Sequence, residues 1–286
     1  MQAEQLTAAI AHHAEGAMWD ARSGRVVWVD MLAGRVLSTD PLEGTTIAMM
    51  VESPVAAMVR PTGESDYVVA RRTDVCILRA DGSLRPFASV VESPDVALNE
   101  GGCDTAGRLL VGSVADDGRP GAGHLWQVSG NGQVRVLLDG ISCSNGLAFS
   151  EDGTSMFYVD TGTERVDCYA YDVATGELGP RRTLASIPEL GLQGVPDGIC
   201  MDAEGGVWVA LWGGRSVVRI DPAGRLDAVV EIPTLNVTSC AFGGPDLRTL
   251  FVTTSAYDNP GPEAGALFAC APGVTGRPVN AFVESP

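Results

Sequence analysis

Five short segments carry an oxygen-bearing side chain at the same position of a six-residue pattern. They are EGAMWD from Glu15, NEGGCD from Asn99, NGLAFS from Asn145, DGICMD from Asp197 and TSCAFG from Thr238. The carboxylates and carboxamides among them are hard donors of the kind that Ca²⁺, Mg²⁺ and Mn²⁺ prefer. Taken singly, an Asn-Gly or Asp-Gly pair indicates only a turn before a strand. Several in one register favour a bound cation, because buried carboxylates that face each other need a counter-charge.

Six β-rich runs recur at the spacing of propeller blades, roughly 40 to 50 residues. They are GRVVWVD (24–30), DYVVAR (66–71), GRLLVGS (107–113), MFYVDT (156–161), GVWVAL (206–211) and TLFVTT (249–254). Most are followed by a second run, such as GHLWQV or SVVRID, so each unit is predicted to be a small antiparallel sheet. Helical periodicity is nearly absent after about the first dozen residues. We therefore predict an all-β fold in which residues 1–286 form a single six-bladed β-propeller of four-stranded antiparallel blades.

The predicted fold would bring the oxygen-bearing residues together. The first strand of each propeller blade lines the central channel, so equivalent positions in different blades form a ring around its axis. Glu15, Asn99, Asn145 and Asp197 are expected to lie on this ring. The second blade breaks the pattern, because the same offset from its turn glycine falls on Val55.

The charge of the chain restricts its partners. Nineteen basic residues against 36 acidic ones give a formal charge of -17 and a pI near 4.4. This balance argues against nucleic acid or an anionic membrane as a partner and favours cations or neutral substrates. The N-terminus lacks a basic start followed by an apolar run, and we expect a cytoplasmic protein. Seven widely spread cysteines without a CxxC pair indicate neither a disulfide framework nor a zinc site.

The motifs together resemble the senescence marker protein 30, gluconolactonase and regucalcin superfamily. The similarity extends from about Glu15 to Thr254, through EGAMWD, NEGGCDTAGRLLVGS, SNGLAFSEDG, PDGICMDAEGGVWVALWGG and TSCAFGGPDLRTLFVTT. The resemblance implies a six-bladed propeller that hydrolyses sugar lactones or related esters with one divalent cation, for which Ca²⁺ is favoured over Mn²⁺, Mg²⁺ or Zn²⁺. It also implies metal ligation by Glu15, Asn145 and Asp197, and substrate binding by Asn99 and Asp117.

Two positions depart from the family pattern. The arginine that usually lies two residues before the matching asparagine is Ala97, and the basic residue often found three positions after it is Gly102. A polyhydroxylated lactone would lose hydrogen-bond donors there. We therefore expect a small lactone or ester other than the usual aldonolactones, with Asp197 as the proton acceptor for attacking water.

Two other functions are compatible with the same residues. The first is a propeller that binds a divalent cation or another protein without catalysis, and the second is a scaffold recruited for a non-hydrolytic biosynthetic step. A serine nucleophile is not expected, because no GxSxG motif exists. His12 and His13 precede Glu15 and could border the channel, but a solvent-facing or hydrogen-bonded role is the favoured interpretation for both. The sequence leaves the substrate, the native metal and the oligomeric state open.

Overall fold

The predicted β-rich runs form the strands of six four-stranded antiparallel sheets. The structure, a computed structural model, describes residues 1–285. Strands are numbered β1 to β24 in chain order. Blade 1 contains β2 (Ala14–Asp20), β3 (Arg25–Asp30), β4 (Arg35–Thr39) and β5 (Thr46–Met50); blade 2 contains β6 (Ala56–Pro61), β7 (Tyr67–Arg71), β8 (Asp74–Leu78) and β9 (Leu84–Ser89). Blade 3 contains β10 (Val96–Cys103), β11 (Leu109–Ala115), β12 (Gly123–Val128) and β13 (Val134–Ile141).

The second half of the chain repeats the arrangement. Blade 4 contains β14 (Ser144–Phe149), β15 (Ser155–Asp160), β16 (Arg165–Asp172) and β17 (Glu177–Ser186). Blade 5 contains β18 (Val195–Met201), β19 (Val207–Trp212), β20 (Ser216–Ile220) and β21 (Leu226–Glu231). Two single turns of 3₁₀ helix, Met31–Ala33 and Thr161–Thr163, follow β3 and β15, and residues 1–285 contain no α-helix. The all-β, six-bladed prediction is confirmed.

Blade 6 joins the two ends of the chain. It contains β22 (Asn236–Gly243), β23 (Thr249–Ser255) and β24 (Leu267–Cys270), and its outer strand is β1 (Glu4–Gln5) from the N-terminus. Glu4 pairs with Ala269 and Gln5 with Phe268. The first dozen residues therefore supply an edge strand, which closes the ring by main-chain hydrogen bonds.

The core lies between neighbouring blades. The inner strands of each blade are buried on both faces, as in β3, where Val26 to Asp30 are all buried. The outer strands consist mostly of partly buried and exposed residues, because one face is open to solvent. Clusters of buried side chains extend from one blade into the next, so each sheet is covered by its neighbours.

Each first strand is bulged against the second strand of its blade. The pairing register shifts between Glu15 and Met18 in blade 1, and the equivalent shift occurs in the other five blades. A bulge leaves residues unpaired and re-aims their side chains. In blade 2 the unpaired residue is Ala57, two positions after the Val55 that the spacing predicted, and both are apolar.

The C-terminal segment, residues 274–285, crosses one end of the channel; we call it the strap. It is held by main-chain hydrogen bonds and by side chains, among them Arg277 to the main-chain oxygen of Phe149 (3.0 Å) and Asn280 to the main-chain oxygen of Cys103 (3.0 Å). A cavity of about 110 Å³ lies between the strap and the later residues of the first strands. The strap thus covers the end of the channel opposite the bulges.

Two predictions about organisation stay predictions. One is that residues 1–286 make up a single domain, and the other is the cytoplasmic location. Within residues 1–285, helices of the length and apolar character needed to cross a bilayer are not found.

Candidate metal and substrate site

The four predicted ring residues lie at the bulges of blades 1, 3, 4 and 5. Glu15 (5% exposed), Asn145 (6%) and Asp197 (4%) are buried, and Asn99 is partly buried. Asn99 is one of the unpaired residues of the β10 bulge, and Asn145 and Asp197 are likewise unpaired in the bulges of β14 and β18. The bulges therefore free these side chains from the regular alternation of the sheet.

The glycines after the ring residues have an inter-blade role. Asn145-Gly146 and Asp197-Gly198 lie inside strands β14 and β18, not in turns. A Cβ atom on Gly146 would lie 2.7 Å from the main-chain oxygen of Asp197, and one on Gly198 would lie 2.8 Å from the main-chain oxygen of Thr238. These pairs therefore mark the close approach of neighbouring first strands, and the turn interpretation of each pair is wrong.

A chain of side-chain hydrogen bonds connects blades 3, 4 and 5. Thr161 Oγ1 donates to the Pro196 oxygen (2.8 Å), so it accepts the bond from Asn145 Nδ2 (2.8 Å). This fixes the orientation of the Asn145 amide, whose Oδ1 accepts from Asn99 Nδ2 (2.9 Å). Asn99 Nδ2 also donates to the Ser144 oxygen (2.8 Å). The amide oxygens of Asn99 and Asn145 consequently keep lone pairs for a ligand.

The carboxylates of the site are buried, and the charge of each one affects the pKa of its neighbours. Burial, and then the charges of Asp197 and Glu100, raise the pKa of Glu15 well above its usual value. Burial and Glu100 likewise raise the pKa of Asp197 well above its usual value. Ionised carboxylates in such a place need a positive partner. The Asp197 Oδ1 atom is buried with no hydrogen-bond partner, which fits a site that takes a cation.

Glu100 is the site residue that sequence reasoning missed. It lies in the same β10 bulge as Asn99, is 3% exposed, and its Oε2 atom is buried without a partner. Burial raises the pKa of Glu100 to about 7, although the charge of Arg60 opposes the rise. A signal existed in the sequence, because the equivalent position after Glu15, Asn145 and Asp197 is glycine.

Arg60 is a buried cation whose charge lowers the pKa of both Glu15 and Glu100 and so opposes the effect of burial. It belongs to β6 of blade 2, the blade that lacks an oxygen ligand, and is 7% exposed. Its Nη1 atom donates to the Gly16 oxygen (3.2 Å) and the Val59 oxygen (2.8 Å). One guanidinium beside three carboxylates leaves an excess of negative charge. In residues 1–285 no three His, Cys, Asp or Glu side chains form a metal-binding group.

Two aspartates hold the chain just before the ring residues. Asp30 Oδ1 accepts from the backbone nitrogens of His12 (3.1 Å) and His13 (3.0 Å), which precede Glu15. Asp160 Oδ1 does the same for Cys143 N (3.0 Å), which precedes Asn145. Each aspartate is the last residue of the second strand of its blade. The repeated WVD and YVD triplets therefore hold the segments that lead into Glu15 and Asn145.

Of the remaining candidates, His13 borders the cluster of buried carboxylates and amides, and Asp117 lies outside it. Asp117 is in the exposed turn after β11, and its carboxylate accepts from Arg119 N (3.1 Å) and Arg119 Nη1 (2.9 Å). Ala97 is buried in β10, and Gly102 lines the cavity above the strap. His13 is hydrogen-bonded through Nδ1 to Ser255 Oγ (2.7 Å). The substrate-binding role of Asp117 stays a prediction.

Comparison with known proteins gives a consistent set of relatives. A family profile described as "SMP-30/Gluconolactonase/LRE-like region" matches residues 13–256. Regucalcin of Xenopus laevis is 32% identical over 94% of this chain and 94% of that protein. Pentonolactonase XacC of Haloferax volcanii is 34% identical over 92% of each. A solved structure of a calcium-binding protein, regucalcin, from Agrobacterium tumefaciens has a TM-score of 0.88 and 28% identity, and the alignment covers 95% of this chain and 94% of that one.

Proposed function

The chain belongs to the SMP-30/gluconolactonase/LRE-like family, and on that premise we propose that it is a divalent-metal-dependent hydrolase of a small lactone or ester. The observation that carries the proposal is the buried Asp197 Oδ1 atom, which has no hydrogen-bond partner and lies in the field of Glu15 and Glu100. Lactonase activity in the Haloferax relative supports the reaction class. The regucalcin relatives, one of them titled a calcium-binding protein, support Ca²⁺ as the ion.

The proposed ligands are Glu15, Asn145 and Asp197. Their oxygen donors suit a hard cation, and two carboxylates would balance its charge. Asn145 is oriented for this by Thr161, which leaves its Oδ1 atom free to accept a second partner. A divalent cation bound here would polarise the substrate carbonyl and stabilise negative charge on its oxygen.

The chain's own groups would carry the proton and hold the substrate. The Asp197 carboxylate oxygen that does not bind the cation would take a proton from the water that attacks the carbonyl, and that proton would then pass to the leaving alcohol oxygen. Asn99 uses its Nδ2 atom in bonds to Ser144 and Asn145, so its Oδ1 atom is the one available to a substrate donor. The products would be a hydroxy acid from a lactone, or an acid and an alcohol from an ester.

The test is the Asp197→Asn variant, assayed on a panel of lactones and aryl esters with Ca²⁺, Mn²⁺ or Zn²⁺. We expect kcat to fall about a hundredfold or more, the usual contribution of a general base. The metal-free variant should melt at the same temperature as the wild type or higher, because the substitution removes a buried carboxylate whose ionisation is unfavourable.

Asp246→Asn is the matched control. Asp246 is an exposed aspartate in the turn between β22 and β23, away from the bulged ends of the first strands. The same chemical change there should leave kcat unaltered. Equal activity of wild type and Asp197→Asn, with metal bound to the wild type, would rule out the proposed role of Asp197.

A second candidate is cation binding without hydrolysis, which the calcium-binding relative favours. The same ligands would serve, and Asp197→Asn would then weaken Ca²⁺ affinity with no turnover to lose. Calorimetric Ca²⁺ titration of a wild type that hydrolyses nothing in the panel would establish this alternative.

A further inference from the structure

Three aromatic side chains meet at the mouth of the channel, beside Glu15, and the ring of the exposed His12 lies 6.1 Å from that of Tyr257. Trp212 ends β19 of blade 5, Tyr257 follows β23 of blade 6, and His13 precedes the bulge of β2 in blade 1. The ring centroids of His13 and Trp212 are 5.7 Å apart, and those of His13 and Tyr257 are 6.0 Å apart. We call these three residues the aromatic wall. It spans three consecutive blades.

The wall is held rigidly from its base. Ser255 is buried, and its Oγ atom bonds to His13 Nδ1 (2.7 Å) and accepts from Tyr257 N (3.0 Å). Asn236 Nδ2 donates to the main-chain oxygen of Tyr257 (3.0 Å), and Ala256 N donates to the main-chain oxygen of His12 (3.0 Å). The main chain at His13 and Tyr257 is thus bonded to neighbouring strands before any ligand arrives, so little entropy would be lost in ordering it on binding.

The outer part of the wall is available to a ligand. Tyr257 is 43% exposed and Trp212 is partly exposed, although His13 behind them is only 15% exposed. His13 Nε2 lies 3.8 Å from Glu15 Oε1, which connects the wall to the proposed metal ligands. A molecule whose carbonyl reached that ligand set from the mouth would pass along these rings.

The other side of the ring has a different chemistry. Blades 3 and 4 present the amides of Asn99 and Asn145 and the hydroxyl of Thr161. Ala97 adds no donor from blade 3. The mouth is therefore polar where the carbonyl would bind and aromatic where the body of a substrate would lie, a distribution typical of sites for small, largely apolar molecules.

We propose that the substrate is an aromatic lactone or aryl ester whose ring packs against Trp212 and Tyr257. The inference rests on the proposed hydrolytic function and narrows its substrate class. Flat apolar rings gain from offset or edge contacts with aromatic side chains. A polyhydroxylated lactone would instead place many hydroxyl groups against a wall whose polar atoms are the Trp212 N–H, the Tyr257 O–H and the His13 ring nitrogens, and hydroxyl groups left unpaired there are costly once water is displaced.

The kinetic test compares dihydrocoumarin, an aromatic lactone, with glucono-δ-lactone in the presence of Ca²⁺. The wild type should prefer dihydrocoumarin in kcat/KM. Trp212→Ala should raise the KM for dihydrocoumarin about tenfold with little change in kcat, since one aromatic contact is removed. Trp212→Phe keeps a ring and should restore most of the affinity. A wild type that prefers glucono-δ-lactone, or an equal KM change for both lactones in Trp212→Ala, would overturn the inference.

A binding test separates this inference from the proposed function. The unreactive lactam 3,4-dihydro-2(1H)-quinolinone has the shape of dihydrocoumarin, and δ-valerolactam lacks its aromatic ring. Calorimetry should show tighter binding of the quinolinone by the wild type and loss of that preference in Trp212→Ala. If no lactone is hydrolysed but this preference is found, hydrolysis fails and the aromatic site stands. Equal binding of the two lactams would refute the aromatic site.

Discussion

The carboxylates explain both what the site could bind and what it costs the protein. Glu15, Glu100 and Asp197 are each 5% exposed or less, and Arg60 is the one buried cation acting on Glu15 and Glu100. Such a cluster is unfavourable when ionised unless a cation enters. Binding and stability are therefore opposed at these residues, as is common where a site is built for a charged ligand.

Glu100 provides a pH prediction for the metal-free protein. Its pKa is raised from 4.5 to about 7, so the folded state favours the protonated form. The resulting stability is present below pH 4.5 and is lost as the pH rises through 7, on the order of 3 kcal/mol for a fully buried group. Urea unfolding in EDTA should thus show the stability of the wild type, relative to Glu100→Gln, falling between pH 5 and pH 8.

Comparing the wild type with Glu100→Gln cancels the contribution of His13, whose effect on stability has the opposite pH dependence. Burial lowers the pKa of His13 to about 4, so His13 adds stability as the pH rises to 6.5 in both proteins. Glu189→Gln, a change in an exposed turn, serves as the control and should run parallel to the wild type. A constant difference between wild type and Glu100→Gln across this range would show that Glu100 does not titrate as described.

The first strands show how much of the site could be predicted from sequence. The register of Glu15, Asn99, Asn145 and Asp197 was readable because each blade repeats the same strand and turn. The bulges were not readable, since they depend on pairing with the second strand. They also explain why Glu100 was missed: a bulge frees two neighbouring residues of β10, whereas the alignment considered one position per blade.

Elements outside the repeat were the least predictable. Arg60 lies in the blade that broke the pattern, and the aromatic wall combines residues at or just beyond the ends of strands in three blades. The strap has no alternating pattern, because it is held by single contacts with several blades. Contacts of this kind depend on the completed ring and leave no local signal in the sequence.

The strap should contribute strongly to stability through one side chain. Phe282 is fully buried and packs edge-to-face on Phe87, with ring centroids 5.2 Å apart. Phe282→Ala should lower the free energy of unfolding by about 3 to 5 kcal/mol, as for other large buried aromatics. Val283→Ala, at a neighbouring position that is 51% exposed, should cost far less in the same chemical denaturation experiment. Similar losses for both variants would mean that the strap is not anchored at Phe282.

At the scale of the whole molecule, closure and charge act together on the site. Blade 6, which lies between the blades that carry Glu15 and Asp197, is completed by β1, and this pairing closes the ring. The formal charge of -17 attracts cations to the surface in general. A stabilising effect of Ca²⁺ must therefore be separated from this diffuse attraction.

High salt separates Ca²⁺ binding at the site from attraction of Ca²⁺ to the acidic surface. Surface attraction is largely screened at high ionic strength, whereas a buried ion bound by carboxylates is screened much less. We expect Ca²⁺ at about 100 times its dissociation constant to add about 2.7 kcal/mol of stability to EDTA-treated protein. The rise in melting temperature should persist in 0.5 M NaCl, disappear in Asp197→Asn and remain in Asp246→Asn. A rise that vanishes with salt in the wild type, or survives in Asp197→Asn, would mean that the ion binds to the acidic surface and not on the propeller axis.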